Sequence, residues 1–133
     1  MSPNEIKALL YRLNDEIMNE GKLEVIEEIF DANYAARYGT YLENADYGYE
    51  AVKNFYHFAH AEYADFKVSI NHLIAEGELA ASNWSCVGIY QGEPTERIKP
   101  GQKVTWSGTS WFTVRNGKIL ERWAYRDDLT AIE

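Results

Sequence analysis

The apolar positions of this chain keep two periods, one helical and one strand-like, and pass from the first to the second near Asp65. Ile6, Leu9, Leu10, Leu13 and Ile17 lie three or four residues apart, the spacing that stacks side chains on one helix face. Ser2-Pro3-Asn4-Glu5 precedes them, a capping box with proline at the first helical position. Together they predict a helix running to about Asn19. Gly21 supplies a left-handed end, and Leu23, Val25, Ile26, Ile29 and Phe30 make a short second helix. No period holds over 31–47, where Tyr34, Arg37, Tyr38, Tyr41 and Tyr47 fall. The prediction there is a long aromatic loop, of a length that often serves as a functional cover. Val52, Phe55, Phe58, Ala59 and Glu62 restore the helical spacing and predict a third helix over 48–64.

Beyond Asp65 alternation takes over. Phe66, Val68 and Ile70 alternate with Lys67, Ser69 and Asn71, and Glu76-Gly77-Glu78 closes that strand with a turn. Ala80, Ser82, Trp84, Cys86, Gly88 and Tyr90 form one face of a second strand. The stretch 91–102, with Pro94 and Pro100, reads as a loop. A third strand over 104–114 carries Trp106, Trp111 and Phe112. Asn116-Gly117 favours a type I′ hairpin, because both residues tolerate the positive φ that this turn needs, so a fourth strand follows over 117–129. Helices first and strands after imply an α+β fold, with three N-terminal helices packed on one face of a curved antiparallel meander. No internal repeat or second domain is visible, and 1–133 is read as a single domain.

The last strand carries the candidate chemistry. Strict alternation puts Ile119, Glu121, Trp123, Tyr125 and Asp127 on one face and Leu120, Arg122, Ala124, Arg126 and Asp128 on the other. An acid at the end of an apolar, aromatic stripe is suited, when desolvated, to take and give protons near neutral pH, which makes Asp127 the lead catalytic candidate. The alternative is that Asp127 and Asp128 end the strand in solvent. Tyr125, two residues earlier on the same face, is placed to orient a substrate carbonyl or to pack in the core. Glu121 lies six residues from Asp127, about 20 Å of strand, too far for a close carboxylate pair, and is read as structural. Trp84 and Tyr90 share a face that lines a pocket if it is the concave one. Ser110 and Tyr90 join Tyr125 as hydrogen-bond donors for an enolate oxygen, and Trp123 adds an aromatic wall. Arg37 and Tyr38 sit in the expected covering loop, where Arg37 meets an acidic substrate group or a surface carboxylate.

Composition narrows the classes. A formal charge of −8 on 133 residues argues against nucleic acid or an anionic membrane as partner, since each requires a concentrated basic patch. One cysteine allows no internal disulfide, no apolar run reaches membrane length, and the N-terminus lacks a secretory pattern. A cytoplasmic protein is expected. Ten tyrosines suit a lined cavity or an interface. His57 and His60 stand three apart on the third helix, but no third ligand accompanies them, and His72 is isolated, so no metal and no cofactor is expected. Cys86, on an apolar face, reads as an inert thiol.

The whole chain resembles the SnoaL-like polyketide cyclases of the nuclear-transport-factor-2-like (NTF2-like) superfamily. The resemblance runs from the opening helix through Gly21-Lys22-Leu23-Glu24-Val25-Ile26-Glu27-Glu28-Ile29-Phe30 and Gly48-Tyr49-Glu50-Ala51-Val52-Lys53-Asn54-Phe55-Tyr56. It continues in Ala64-Asp65-Phe66-Lys67-Val68, Leu73-Ile74-Ala75-Glu76-Gly77, Trp84, Gly88, Gly92 and the closing Gly117-Lys118-Ile119-Leu120-Glu121 with Trp123 and Asp127. It implies a cone, in which a strongly curved, mainly antiparallel sheet and the helices enclose an apolar pocket. In such cyclases an acid four residues after the tryptophan of the last strand is the general acid/base of an intramolecular aldol closure, and that position is Asp127 here. Many relatives carry a histidine-containing Asp-His-Asn-Pro-like segment after the second helix. This chain has Ala36-Arg37-Tyr38-Gly39 instead, a departure that leaves its own substrate chemistry open.

Three functions fit these expectations. The first is a cofactor-independent cyclase, isomerase or lyase in which Asp127 moves a proton beside the carbonyl of an apolar or aromatic substrate. The second is a non-catalytic cone that binds such a ligand. The third is a dimeric scaffold paired through the sheet face bearing Asn83, Ser85, Val87, Thr105, Ser107, Thr109 and Trp111, an isologous interface of the kind the resemblance implies.

Overall fold

The structure, a computed structural model, describes residues 1–38 and 45–132. The first helix, α1 (Pro3–Arg12), is closed at its start by the reciprocal bonds of the predicted capping box, Glu5 N–H to Ser2 Oγ and Ser2 N–H to Glu5 Oε1. It continues without a break into a π-helical segment, Leu13–Asn19, whose end is clasped to the sheet: the Asn19 side chain both donates to the Val68 carbonyl and accepts from the Val68 N–H, each at 2.9 Å. A 3₁₀ turn, Leu23–Val25, leads into α2 (Ile26–Ile29), and α3 spans Gly48–Glu62. All three helical stretches fall where the apolar spacing put them.

Among the described residues the sheet has seven strands: β1 (Phe30–Tyr38), β2 (Ala45–Tyr47), β3 (Tyr63–Glu76), β4 (Leu79–Tyr90), β5 (Lys103–Arg115), β6 (Lys118–Arg126) and β7 (Thr130–Ala131). The order is β2-β1-β6-β5-β4-β3, with β7 pairing β5 beyond the end of β6. β3 to β6 are the predicted meander, and its last turn, between β5 and β6, has positive φ at both Asn116 and Gly117.

Two expectations are corrected. The loop expected over 31–47 lies in part outside the described residues, Tyr41 included, but the remainder is strand. β1 runs parallel to β6 and antiparallel to β2. Tyr34, Ala35 and Ala36 are buried one after another, because β1 is covered on both faces, and a strand so covered shows no period of two.

The second correction concerns β6. Ile119 pairs with Val114, but Glu121 pairs with Thr113, leaving Leu120 as an extra residue, a β-bulge. Past that point the alternation is inverted: Arg122, Ala124 and Arg126 stand opposite Phe112, Ser110 and Gly108 on the inner face. Glu121 and Trp123 turn outward. The pairing of β3 with β4 is interrupted twice more, between Ala64 and Lys67, where Asp65 has φ +53°, and between Ile70 and His72. The inner face packs against α1, the π-helical segment and α3, and the main core lies between them.

Candidate functional site

Sheet and helices do not close completely; they enclose a cavity of about 420 Å³. Its walls are apolar and aromatic. α1 and α3 contribute Leu10, Val52 and Phe55, and the sheet contributes Phe66, Trp106 and Phe112. Into this surface β1, β4, β5 and β6 place one polar cluster. Register puts Ser110 beside Ser82 on one side and Ala124 on the other, with Arg122 one pleat along β6.

Trp84 reaches the cluster because Gly108 stands opposite it. A Cβ at Gly108 would lie 2.6 Å from the indole and would also collide with the Tyr125 carbonyl. The space left lets the ring cross β5, and its Nε1 donates to Ser110 Oγ at 2.9 Å. Arg122 Nε donates to the same oxygen at 3.2 Å, while its guanidinium lies 5.1 Å from the Phe55 ring centroid. A serine oxygen accepting twice has filled its lone pairs. The Ser110 hydrogen therefore points elsewhere, and no protein acceptor takes it among the described residues. Tyr34 completes the group from β1. Burial pushes its phenol well above the usual range against the opposing pull of Arg122, so it stays a donor. The result is a set of donors, Ser110, Tyr34 and Arg122, in an apolar surround where each is worth more than in water. None of the described residues lining the cavity is Asp, Glu or His.

The sequence profile described as SnoaL-like polyketide cyclase matches residues 8–133. The chain belongs to that family. Solved structures agree at the level of fold. A protein assigned as a SnoaL-like polyketide cyclase from Jannaschia sp. CCS1 superposes with a TM-score of 0.80 at 20% identity, over 94% of this chain and 87% of that one. TsrD from Streptomyces laurentii gives 0.78 at 17%, over 96% and 91%. An LEH-like epoxide hydrolase of M. tuberculosis gives 0.70 at 14%, over 94% and 84%. No curated protein matches the sequence. The fold is the NTF2-like cone.

In this SnoaL-like chain the residues singled out from sequence divide into two groups. Trp84, Ser110, Tyr38 and Tyr125 line the cavity, Tyr38 stacked on Phe55 at 6.2 Å and Tyr125 from an exposed rim position. The other four do not line it. The Asp127 carboxylate lies outside, accepting from the Ser107 N–H at 2.8 Å and the Ser107 hydroxyl at 3.1 Å. Trp123 stands on the outer face under the Arg37 guanidinium, 5.3 Å from its ring centroid. Arg37 itself binds Glu121 at 2.9 Å, the surface-carboxylate alternative. Tyr90 is buried on the inner face, but its hydroxyl donates to the Glu93 carbonyl. Glu121, read as structural, is engaged by Arg37 and Thr113.

Arg122, Tyr34 and Arg126 are the cavity groups that strict alternation and the loop reading passed over. For Arg122 and Arg126 the signal was present: two arginines four apart on one face of the strand, separated there only by Ala124. The bulge that turns this face inward has no sequence mark of its own. Cys86 also lines the cavity, its thiol pushed up to about 12 by burial. His60, from the histidine pair, sits with Nε2 2.7 Å from the Met18 carbonyl. No helix among the described residues is long and apolar enough to cross a membrane.

Proposed function

We propose that this SnoaL-like chain is a small-molecule enzyme of the cyclase, isomerase or lyase kind, acting on an apolar, carbonyl-bearing substrate held in the cone. The observation that carries the reading is the donor cluster. Ser110, with its hydrogen uncommitted, and Arg122 converge on one point of an aromatic wall, the arrangement that stabilises negative charge developing on a carbonyl oxygen as the α-proton passes to water and the substrate enolises. The position of the Asp127 carboxylate lends no support to the acid/base role implied by resemblance, so the reading rests on the donors.

Enolisation is read directly by exchange of the α-protons of 2-acetonaphthone in D₂O, followed by proton NMR. Exchange faster than in buffer, lost in Ser110→Ala and Arg122→Met, supports catalysis. Binding of the ketone without faster exchange reduces the function to ligand binding, the reading favoured by the lack of a carboxylate or histidine on the described cavity wall.

The same domain is proposed to form a homodimer through the outer face of its sheet. One row of paired positions there runs Ile74, Ala81, Trp111, Trp123, with Ile74 66% and Trp111 49% exposed. Contiguous exposed apolar side chains of this size mark an interaction surface. Light scattering is expected to give a dimer at micromolar concentration and a monomer for Trp111→Lys. A monomeric native chain removes this part of the proposal.

A further inference from the structure

The six arginines of the chain sort by surroundings. Arg12, Arg37, Arg97 and Arg115 each have a carboxylate within 4.0 Å. Arg122 and Arg126 have none among the described residues, and these two line the cavity. In a chain of net charge −8, carboxylates are plentiful, yet none is directed to this wall. An unpaired guanidinium against aromatic rings lacks the anionic partner that offsets its desolvation.

The arrangement of Arg122 is specific. Its Nε is committed to Ser110, which fixes the plane of the guanidinium, and Phe55 lies against it. The Nη atoms donate to no described carboxylate. A planar fork held in this way matches the two oxygens of a carboxylate. Ser110 and Tyr34 stand beside it with hydroxyl hydrogens for a second, neutral oxygen. Arg126, about 13 Å further along the strand, is exposed with its Nε donating to the Asp127 carbonyl and its guanidinium 5.2 Å from the Trp106 ring centroid. It adds positive potential near the end of the strand, where Asp127 and Asp128 lie in solvent.

Building on the carbonyl-substrate reading above, we infer that the ligand of this cavity is an aryl oxo acid: its carboxylate pairs with Arg122, its ketone oxygen faces Ser110 and Tyr34, and its ring lies on the aromatic wall. The cone thereby selects for charge as well as for shape.

The test is a matched pair that differs only in charge: 2-naphthylglyoxylate and 1-(2-naphthyl)propane-1,2-dione, in which an acetyl replaces the carboxylate. Binding is measured by calorimetry on the full chain. The acid is expected to bind at least about tenfold more tightly, the factor of a charge-assisted, two-point contact. Arg122→Met is expected to abolish the preference while the dione still binds. Arg122→Lys, which keeps the charge and the fold but not the fork, is expected to retain only a small part of it. Equal affinities in the native chain, or an undiminished preference in Arg122→Met or Arg122→Lys, overturn the inference and leave the carbonyl reading standing, since the dione binds. Failure of both compounds to bind overturns the carbonyl reading, and the inference falls with it.

Discussion

The indole of Trp84 donates to the hydroxyl of Ser110 across two strands at 2.9 Å, and both partners are buried. The bond fixes the depth of the cavity wall and satisfies an N–H that has no other described acceptor. Ser110→Ala leaves that donor unpaired and removes the anchor of Arg122. Urea unfolding is expected to show a loss of about 1–3 kcal/mol. In a double-mutant cycle with Trp84→Phe the losses fall short of additive; full additivity contradicts the bond.

Gly108 is needed for what it lacks. Its Cβ would enter the indole of Trp84 and the backbone of β6, neither of which is the free end of a flexible chain. Gly108→Ala is therefore expected to cost about 1–3 kcal/mol and to shift tryptophan emission as Trp84 moves off Ser110. A native-like midpoint with unchanged emission refutes the close approach.

Glu121 links the outer face of β6 to β1. Burial pushes its pKa up, but hydrogen bonds from Arg37 and from the Trp123 indole outweigh it and hold the carboxyl below the usual carboxylate range. A folded value below the unfolded one, about 4.3, stabilises the native state fully above that pH and ceases to do so as pH falls through the folded value. Glu121→Gln is expected to flatten the acid limb of stability against pH below about 4.3, measured by urea midpoints. An acid limb as steep as the native one counts against the pair.

Asp127 accepts two hydrogen bonds from Ser107 at the end of β6. Asp127→Ala is expected to cost about 1 kcal/mol and to leave the affinity of 2-acetonaphthone within about twofold of native, as befits a carboxylate outside the cavity. A large loss of ligand affinity, at unchanged stability, places the carboxylate at the ligand.

Much of the fold could be read in the sequence because its signals are local. The capping box at Ser2 and Glu5, the helical spacing of Ile6, Leu9 and Leu10, and the Asn116-Gly117 turn each specify their own backbone. The inner face of β4 could be read too, since Leu79 through Ile89 pairs in one unbroken register with β5. What failed depends on partners distant in sequence. β1 is a strand because β6 and β2 flank it, and its run of buried residues carries no period. The candidate site was half legible for the same reason: Trp84 and Ser110 lie on strands in regular register there, whereas Asp127 and Trp123 lie beyond Leu120, where one unpaired residue reverses the count.

That unpaired residue makes the charge of the cavity floor a matter of register rather than of composition. Were the same residues paired without a bulge from Ile119 onward, Glu121 and Trp123 would face inward and Arg122 and Arg126 outward. Deleting Leu120, by contrast, straightens β6 and leaves Glu121 opposite Thr113 and Arg122 opposite Phe112. The irregularity can thus be shed in a single codon while the cationic floor is inherited unchanged.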